Sequence, residues 1–245
     1  MNRQNFIEQI EIPASASITP SFTEDKNNPK GILFEEILRK TTNVDSFIHN
    51  AEVIIPDFET LQNTTNISAI ELDIYSQNGR AVIGHSETEI VRTPKNTKEF
   101  SGILGQIKNN GFELHIDLKS PDIGVARQVH NSLPPKALIS TPHHELLDDL
   151  QKRNTDKVLL YTINTPQKKA EFERRIFDKE LFKNSGVSIH FKYLIQDDVK
   201  FYQEHGLYVL AYTVDTVDTA ANLCKYGVNG ITSNNLNILN LIAHK

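Results

Sequence analysis

From Ser46 onward the chain repeats one pattern: a short apolar stretch of strand character, then a segment whose apolar residues recur at helical spacing. The strand-like stretches are Ser46–His49, Ala69–Ser76, Glu113–Lys119, Ala137–Ser140, Lys157–Ile163, Val187–Phe191, Tyr208–Val214 and Gly230–Ser233. The segments between them carry helical stripes, such as Phe100, Ile103, Leu104 and Ile107, which follow what reads as a capping box of Asn96 and Glu99 and stop at Gly111. Alternation of this kind implies parallel strands joined by right-handed crossovers, and eight such units predict a closed α/β (β/α)8 barrel of the TIM type. A doubly wound sheet is the alternative, but no strand ends in a Gly-x-Gly-x-x-Gly turn. One stretch breaks the rhythm. Ala81–His85 follows the second strand after only Gln77-Asn78-Gly79-Arg80, and the Asn-Gly pair predicts a hairpin.

The barrel is expected over residues 45–245 as one domain, a size at which α/β barrels form single units. Residues 1–44 are polar and read as a partly irregular N-terminal extension, with one short helix through Ile32, Leu33, Phe34, Ile37 and Leu38. A net charge of −5 without a lysine-rich block gives no support to an electrostatic nucleic-acid surface, and no nucleic-acid partner is expected. Cys224 is the only cysteine, which excludes an intrachain disulfide and a cysteine zinc cage. No leader pattern and no transmembrane run of about 18 apolar residues is present, so a cytoplasmic location is expected and the sequons at Asn63 and Asn66 carry no weight. Nothing in the sequence speaks to oligomeric state.

Two strands carry chemistry. In the first, Ile70, Leu72 and Ile74 share one face and Glu71 and Asp73 the other; in the second, Leu114, Ile116 and Leu118 oppose Glu113, His115, Asp117 and Lys119. A barrel turns one strand face to the helices and the other inward, and active sites of this fold lie at the C-terminal mouth. Glu71, Asp73 and Asp117 would then share one pocket, where three anions favour a hard divalent cation with oxygen ligands. Lys119 is placed to hold a phosphate beside it, and His49 and His85 end strands on either side of Glu71 as candidate proton carriers. Taken singly, each of these residues has a plainer reading: a solvated strand face, a surface histidine, a cross-strand ion pair. Of the other histidines, His115 reads as packed core, His143 and His144 as capping or exposed, His190 as able to reach the mouth, and His130, His205 and His244 as helix surface or tail. Tyr212 either floors the pocket or fills the core.

These residues resemble the glycerophosphodiester phosphodiesterase family, within the phospholipase-C-like barrel superfamily, over about residues 46–240. Ile70-Glu71-Leu72-Asp73, Asn78-Gly79 and Val82-Ile83-Gly84-His85 are similar to the family's Glu-x-Asp, Asp-Gly and Val-Val-x-His-Asp signature. The stretches Ala211-Tyr212-Thr213-Val214-Asp215 and Gly227-Val228-Asn229-Gly230-Ile231-Thr232-Ser233 resemble its Trp-Thr-Val-Asn and Gly-Val-Asp-Gly-Ile-Ile-Thr-Asp. The resemblance implies metal-dependent hydrolysis of a small glycerophosphodiester. Glu71, Asp73 and Asp117 would ligate one Ca2+ or Mg2+, and His49 and His85 would form the acid–base pair. Lys119, Asn50 and Tyr212 would contact substrate. The departures are Asn50-Ala51 where the family has Arg-Gly after its first histidine, and Tyr212 where it has Trp. Losing the arginine removes a bidentate phosphate contact. A phospholipase of sphingomyelinase D or phospholipase C type acting on intact lipid, and an impaired barrel that only binds phosphate, are the alternatives. The former needs an apolar rim at the mouth.

Overall fold

A computed structural model describes residues 44–49, 67, 69–92, 98–153, 155–178 and 184–243. The predicted N-terminal extension and its helix, Asn50, Asn96 and His244 lie outside the described residues. The strands are β1 Asp45–Ile48, β2 Ala69–Gln77, β3 Arg80–Ile83, β4 Glu113–Leu118, β5 Leu138–Thr141, β6 Val158–Ile163, β7 Ser185–His190, β8 Tyr208–Tyr212 and β9 Gly230–Ser233. Between and after them run α1 Glu87–Arg92, α2 Phe100–Asn109, α3 Ile123–Ser132, α4 His144–Gln151, α5 Pro166–Phe177, α6 Gln196–Glu204, α7 Val217–Tyr226 and α8 Leu236–Ile242. Eight of the strands form a closed parallel ring: β1 pairs with both β2 and β9, and the order around the rest is β9-β8-β7-β6-β5-β4-β2. The fold is a TIM-type (β/α)8 barrel, as the alternation predicted.

β3 stands outside the ring, antiparallel to β2. Asn78 and Gly79 make the turn with φ of 52° and 74°, the left-handed pair that a two-residue hairpin of type I′ requires.

The chain buries two kinds of apolar surface. A shell between barrel and helices takes the outward strand residues, among them Ile70, Leu72, Ile74, Ile116 and Ile139, with the helix stripe Ile103, Leu104 and Ile107. Each such residue, fully buried, contributes about 1.5–3 kcal/mol by removal from water. Inside the ring, Phe47, Ala69, Leu138, Leu160 and Leu210 form a separate apolar floor. Strand parity then turns Glu71, Asp73, His115, Asp117, Ser140 and Thr162 inward above it, all of them buried. The polar layer faces the C-terminal mouth.

Helix starts follow local chemistry. Asp122 accepts from the Gly124 and Val125 N–H groups at 2.9 and 3.0 Å to open α3, and Thr165 followed by Pro166 opens α5. Gly227, at φ 84°, ends α7 in a left-handed cap.

Two expectations need correction. Glu99 is not the third residue of a capped helix, because α2 begins at Phe100 and Glu99 precedes it in extended backbone. The strand claims it: Glu99 bridges Val82, and the Ile83 N–H donates to Lys98 O at 3.0 Å. His130, read as helix surface or tail, is buried beside Val129 and Ala126, with Nε2 2.8 Å from Thr155 Oγ1. A hydroxyl arriving from outside the helix satisfies the ring and lets it turn inward.

Candidate active site

Registers across three strands assemble the centre of the site. Glu71 lies opposite His115, and Asp73 opposite Asp117, which in turn lies opposite Ser140. The three carboxylates are 5%, 1% and 6% exposed for Glu71, Asp73 and Asp117, so their charges are held in a largely dry space. Such charges need partners. Lys119 supplies one, with Nζ 3.0 Å from Asp73 Oδ1 and in ion-pair contact with Asp117 Oδ2. Burial pulls the Lys119 ammonium toward neutrality, but Asp117 and Asp73 more than offset it and hold its pKa above the ordinary lysine value.

A second chain of contacts runs beneath. The Ser140 hydroxyl donates to Asp117 Oδ1 at 2.8 Å and accepts from His115 Nε2 at 2.8 Å. His115 Nδ1 faces Glu71 Oε2 at 3.6 Å, an electrostatic neighbour beyond hydrogen-bond reach. Burial raises the Glu71 pKa, yet His115 and His49 outweigh it and keep the carboxyl below its usual range. His115 is thus packed core as read, but it also props Asp117 through Ser140.

The candidate proton carriers stand at the rim. His49 follows β1, and its N–H donates to Ser233 O at 3.0 Å, while Nδ1 sits 2.9 Å from Asn234 Oδ1. His85 follows β3, is oriented by Nδ1 at 2.7 Å from Asp73 Oδ2, and keeps its ring largely exposed. Gly84 N donates to Asp73 O at 3.0 Å, which pins the base of the hairpin beside this carboxylate. The bond to Asp73 raises the His85 pKa, against a smaller lowering from partial burial. Across the ring, Tyr212 donates to Ile163 O at 3.2 Å and meets the His190 ring edge-on at 5.8 Å between centroids. Burial, then the negative charge of Asp117, push the Tyr212 phenol upward. His190 reaches the rim within an aromatic group with Phe191 and Tyr193, whereas His144 pairs with Glu171 at 3.4 Å and His143 makes no side-chain cap.

Donor atoms of His49, Glu71 and Asp73 lie within 4.8 Å of one another. Glu71 Oε2 is buried without a hydrogen-bond partner among the described residues, which is what a ligand oxygen awaiting a cation looks like. The two carboxylates fit a hard divalent ion, and imidazole is not the donor such an ion prefers. Asp117 is not part of that set; its oxygens meet Ser140 and Lys119, as those of Asp73 meet His85 and Lys119. The sequence reading missed Ser140, Asp215 and Asn234. Ser140 was within reach, as a polar residue two positions on from Leu138 and so on the same inward face.

The profile of the Glycerophosphoryl diester phosphodiesterase family matches residues 36–238. The chain belongs to this family. It is a phosphoric diester hydrolase of the glycerophosphodiester type. Compared by sequence with curated proteins, the chain has no match. Among solved structures it is similar to a phosphodiesterase from Oleispira antarctica in complex with the product sn-glycerol-3-phosphate, with TM-score 0.64, 16% identity, and coverage of 81% of this chain and 96% of that one. A glycerophosphodiester phosphodiesterase from Thermotoga maritima gives TM-score 0.62 at 12% identity, covering 80% and 96%. At these identities the likeness is one of fold. No helix among the described residues is long and apolar enough to cross a membrane.

Proposed function

We propose that this family member hydrolyses glycerophosphodiesters to glycerol phosphate and an alcohol in a divalent-metal-dependent reaction, with His49 and His85 as the acid–base pair. The observation that carries the reading is the pairing of Glu71 and Asp73, buried and close to both rim histidines. Ca2+ or Mg2+ held by Glu71 and Asp73 would polarise a phosphoryl oxygen as a Lewis acid.

The chain's own groups do the rest. The Lys119 ammonium, kept charged by Asp73 and Asp117, attracts a non-bridging phosphate oxygen. By the family resemblance, Asn50 would stand where the family has arginine and could offer only a neutral contact. Tyr212 bounds the pocket opposite β4 and helps exclude water. One histidine takes the proton of the substrate's attacking glycerol hydroxyl, and the other returns a proton to the departing alcohol. Water then opens the cyclic phosphate. Asp73 would help hold the cation while its Oδ2 orients His85 Nδ1 and its Oδ1 pairs with Lys119.

The test is release of choline from glycerophosphocholine, followed by a coupled oxidase. Turnover should require Ca2+ or Mg2+, stop with chelator, and fall roughly 1,000-fold or more in Glu71→Gln and His85→Gln. Undiminished turnover by Glu71→Gln defeats the reading. So does phosphate binding by calorimetry without turnover under any divalent ion, which would mark an impaired barrel.

A further inference from the structure

We infer that Thr162 is a substrate contact whose hydroxyl binds the spectator hydroxyl of the glycerol moiety, the one that does not attack phosphorus, and so selects glycerol esters over those of diols that lack it. The inference rests on the hydrolase reading above and deepens it.

Register places Thr162 in the tier of Asp117 and Tyr212. A barrel interior is filled in layers, each drawing one residue from every second strand, and β4, β6 and β8 are such alternate members of the ring. Asp117 pairs through Ser140 with Leu160, and the next inward position along β6 is Thr162. Thr162 pairs through Ser188 with Leu210, and the next inward position along β8 is Tyr212. Strand tilt makes these steps level, so Thr162 stands between Asp117 and Tyr212 on the wall of the site.

Its hydroxyl serves nothing within the protein. Thr162 is 6% exposed, no more hidden than Asp117 at 6% or Glu71 at 5%, yet its Oγ1 is buried without a hydrogen-bond partner among the described residues. Its two neighbours in the tier are committed: Tyr212 donates to Ile163 O, and Asp117 meets Ser140 and Lys119. A buried hydroxyl left unpaired is destabilising, and valine would fill the same space without that cost. The hydroxyl therefore serves a group that the chain does not supply.

That group has the chemistry of an alcohol. The phosphate belongs on the β2–β4 side, with Lys119 and the cation site of Glu71 and Asp73, and the Asp117 carboxylate beside Thr162 disfavours a further anionic oxygen. A threonine hydroxyl both donates and accepts, as an alcohol does, whereas an ionised phosphate oxygen only accepts. The glycerol of the diester carries two free hydroxyls. One attacks phosphorus, so the other is left to be bound.

The experiment is calorimetric binding of two ligands, in Mg2+, to the wild type, Thr162→Val and Thr162→Ser. The ligands are sn-glycerol-3-phosphate and the propane-1,2-diol phosphate of matching configuration, which lacks only the terminal hydroxyl. The wild type and Thr162→Ser should bind glycerol phosphate at least about fivefold tighter, whereas Thr162→Val should lose that preference and bind the diol phosphate as the wild type does. The same ratios should appear in kcat/KM for glycerophosphocholine against 2-hydroxypropyl phosphocholine. A merely structural threonine would weaken both ligands alike on replacement by valine. The inference is overturned by a wild-type preference below about fivefold, the result expected if water fills the place, or by binding of neither ligand. It is overturned equally by Thr162→Val keeping the preference or weakening both ligands together, and by Thr162→Ser losing it. Should Thr162→Val fail to fold, Thr162→Ala is read in its place. Binding needs no turnover, so absence of hydrolysis with every divalent ion sinks the hydrolase reading, whereas equal binding of the two phosphates sinks only this inference.

Discussion

Replacing Lys119 by methionine keeps the length of the side chain and deletes its charge, and the cost can be worked from the contacts it leaves behind. The Lys119, Asp73 and Asp117 side chains are 16%, 1% and 9% exposed, so the two carboxylates would lose their shared cation while remaining out of water, with Glu71 next to them. Removing one partner of a buried ion pair costs about 3–5 kcal/mol. At about 2–4 °C per kcal/mol for a domain of this size, the melting point should fall by roughly 6–20 °C. The lysine pKa is raised above its unfolded value of 10.5, so its stabilisation is fully present below pH 10.5 and is lost only as pH rises through the folded value. The deficit is therefore measurable at neutral pH, by urea denaturation and thermal melting in the presence of chelator. Adding Ca2+ should return part of it, because a cation between Glu71 and Asp73 relieves the same repulsion. A loss under about 1 kcal/mol in chelator would refute the reasoning, since it would mean that water already screens the carboxylates.

Three further outcomes are expected. NMR titration should place the His85 pKa above 6.5, and Asp73→Asn should lower it; the pair's stabilisation is present below pH 6.5 and is lost as pH rises through the folded value. Ser140→Ala strands Asp117 Oδ1 and His115 Nε2 and should cost about 1–3 kcal/mol in chemical denaturation, more than a typical exposed serine. Differential scanning calorimetry with Mg2+ or Ca2+ at about a hundred times its dissociation constant should stabilise the wild type by about 2.7 kcal/mol, and Glu71→Gln should largely abolish the effect.

The barrel was legible in the sequence because eight strand-like stretches alternate with helical stripes, and Asn78-Gly79 announced the hairpin that breaks the ring's rhythm. Glu71, Asp73, Asp117 and Lys119 were legible because strand parity puts them on one face of two neighbouring staves. What stayed hidden depends on register and on partners remote in sequence. Ser140 shares the inward face of Leu138 by parity, but only its pairing beside Asp117 gives it a role. Asn234 lies 185 residues from His49, and no local signal connects them. Glu99 and His130 were misread through helix rules alone, which see neither a strand that recruits backbone nor a hydroxyl that satisfies a buried ring. Asp117 was expected to help hold a cation, and its contacts with Ser140 and Lys119 are equally invisible to strand parity.

The ring closes where β1 lies between β2 and β9, and His49 emerges at that joint, oriented by a residue just past the final stave. A polypeptide ending at β8 has neither Ser233 nor Asn234 to receive His49. On the proposed acid–base reading such a copy is silent, and turnover reports that the first and last staves have met.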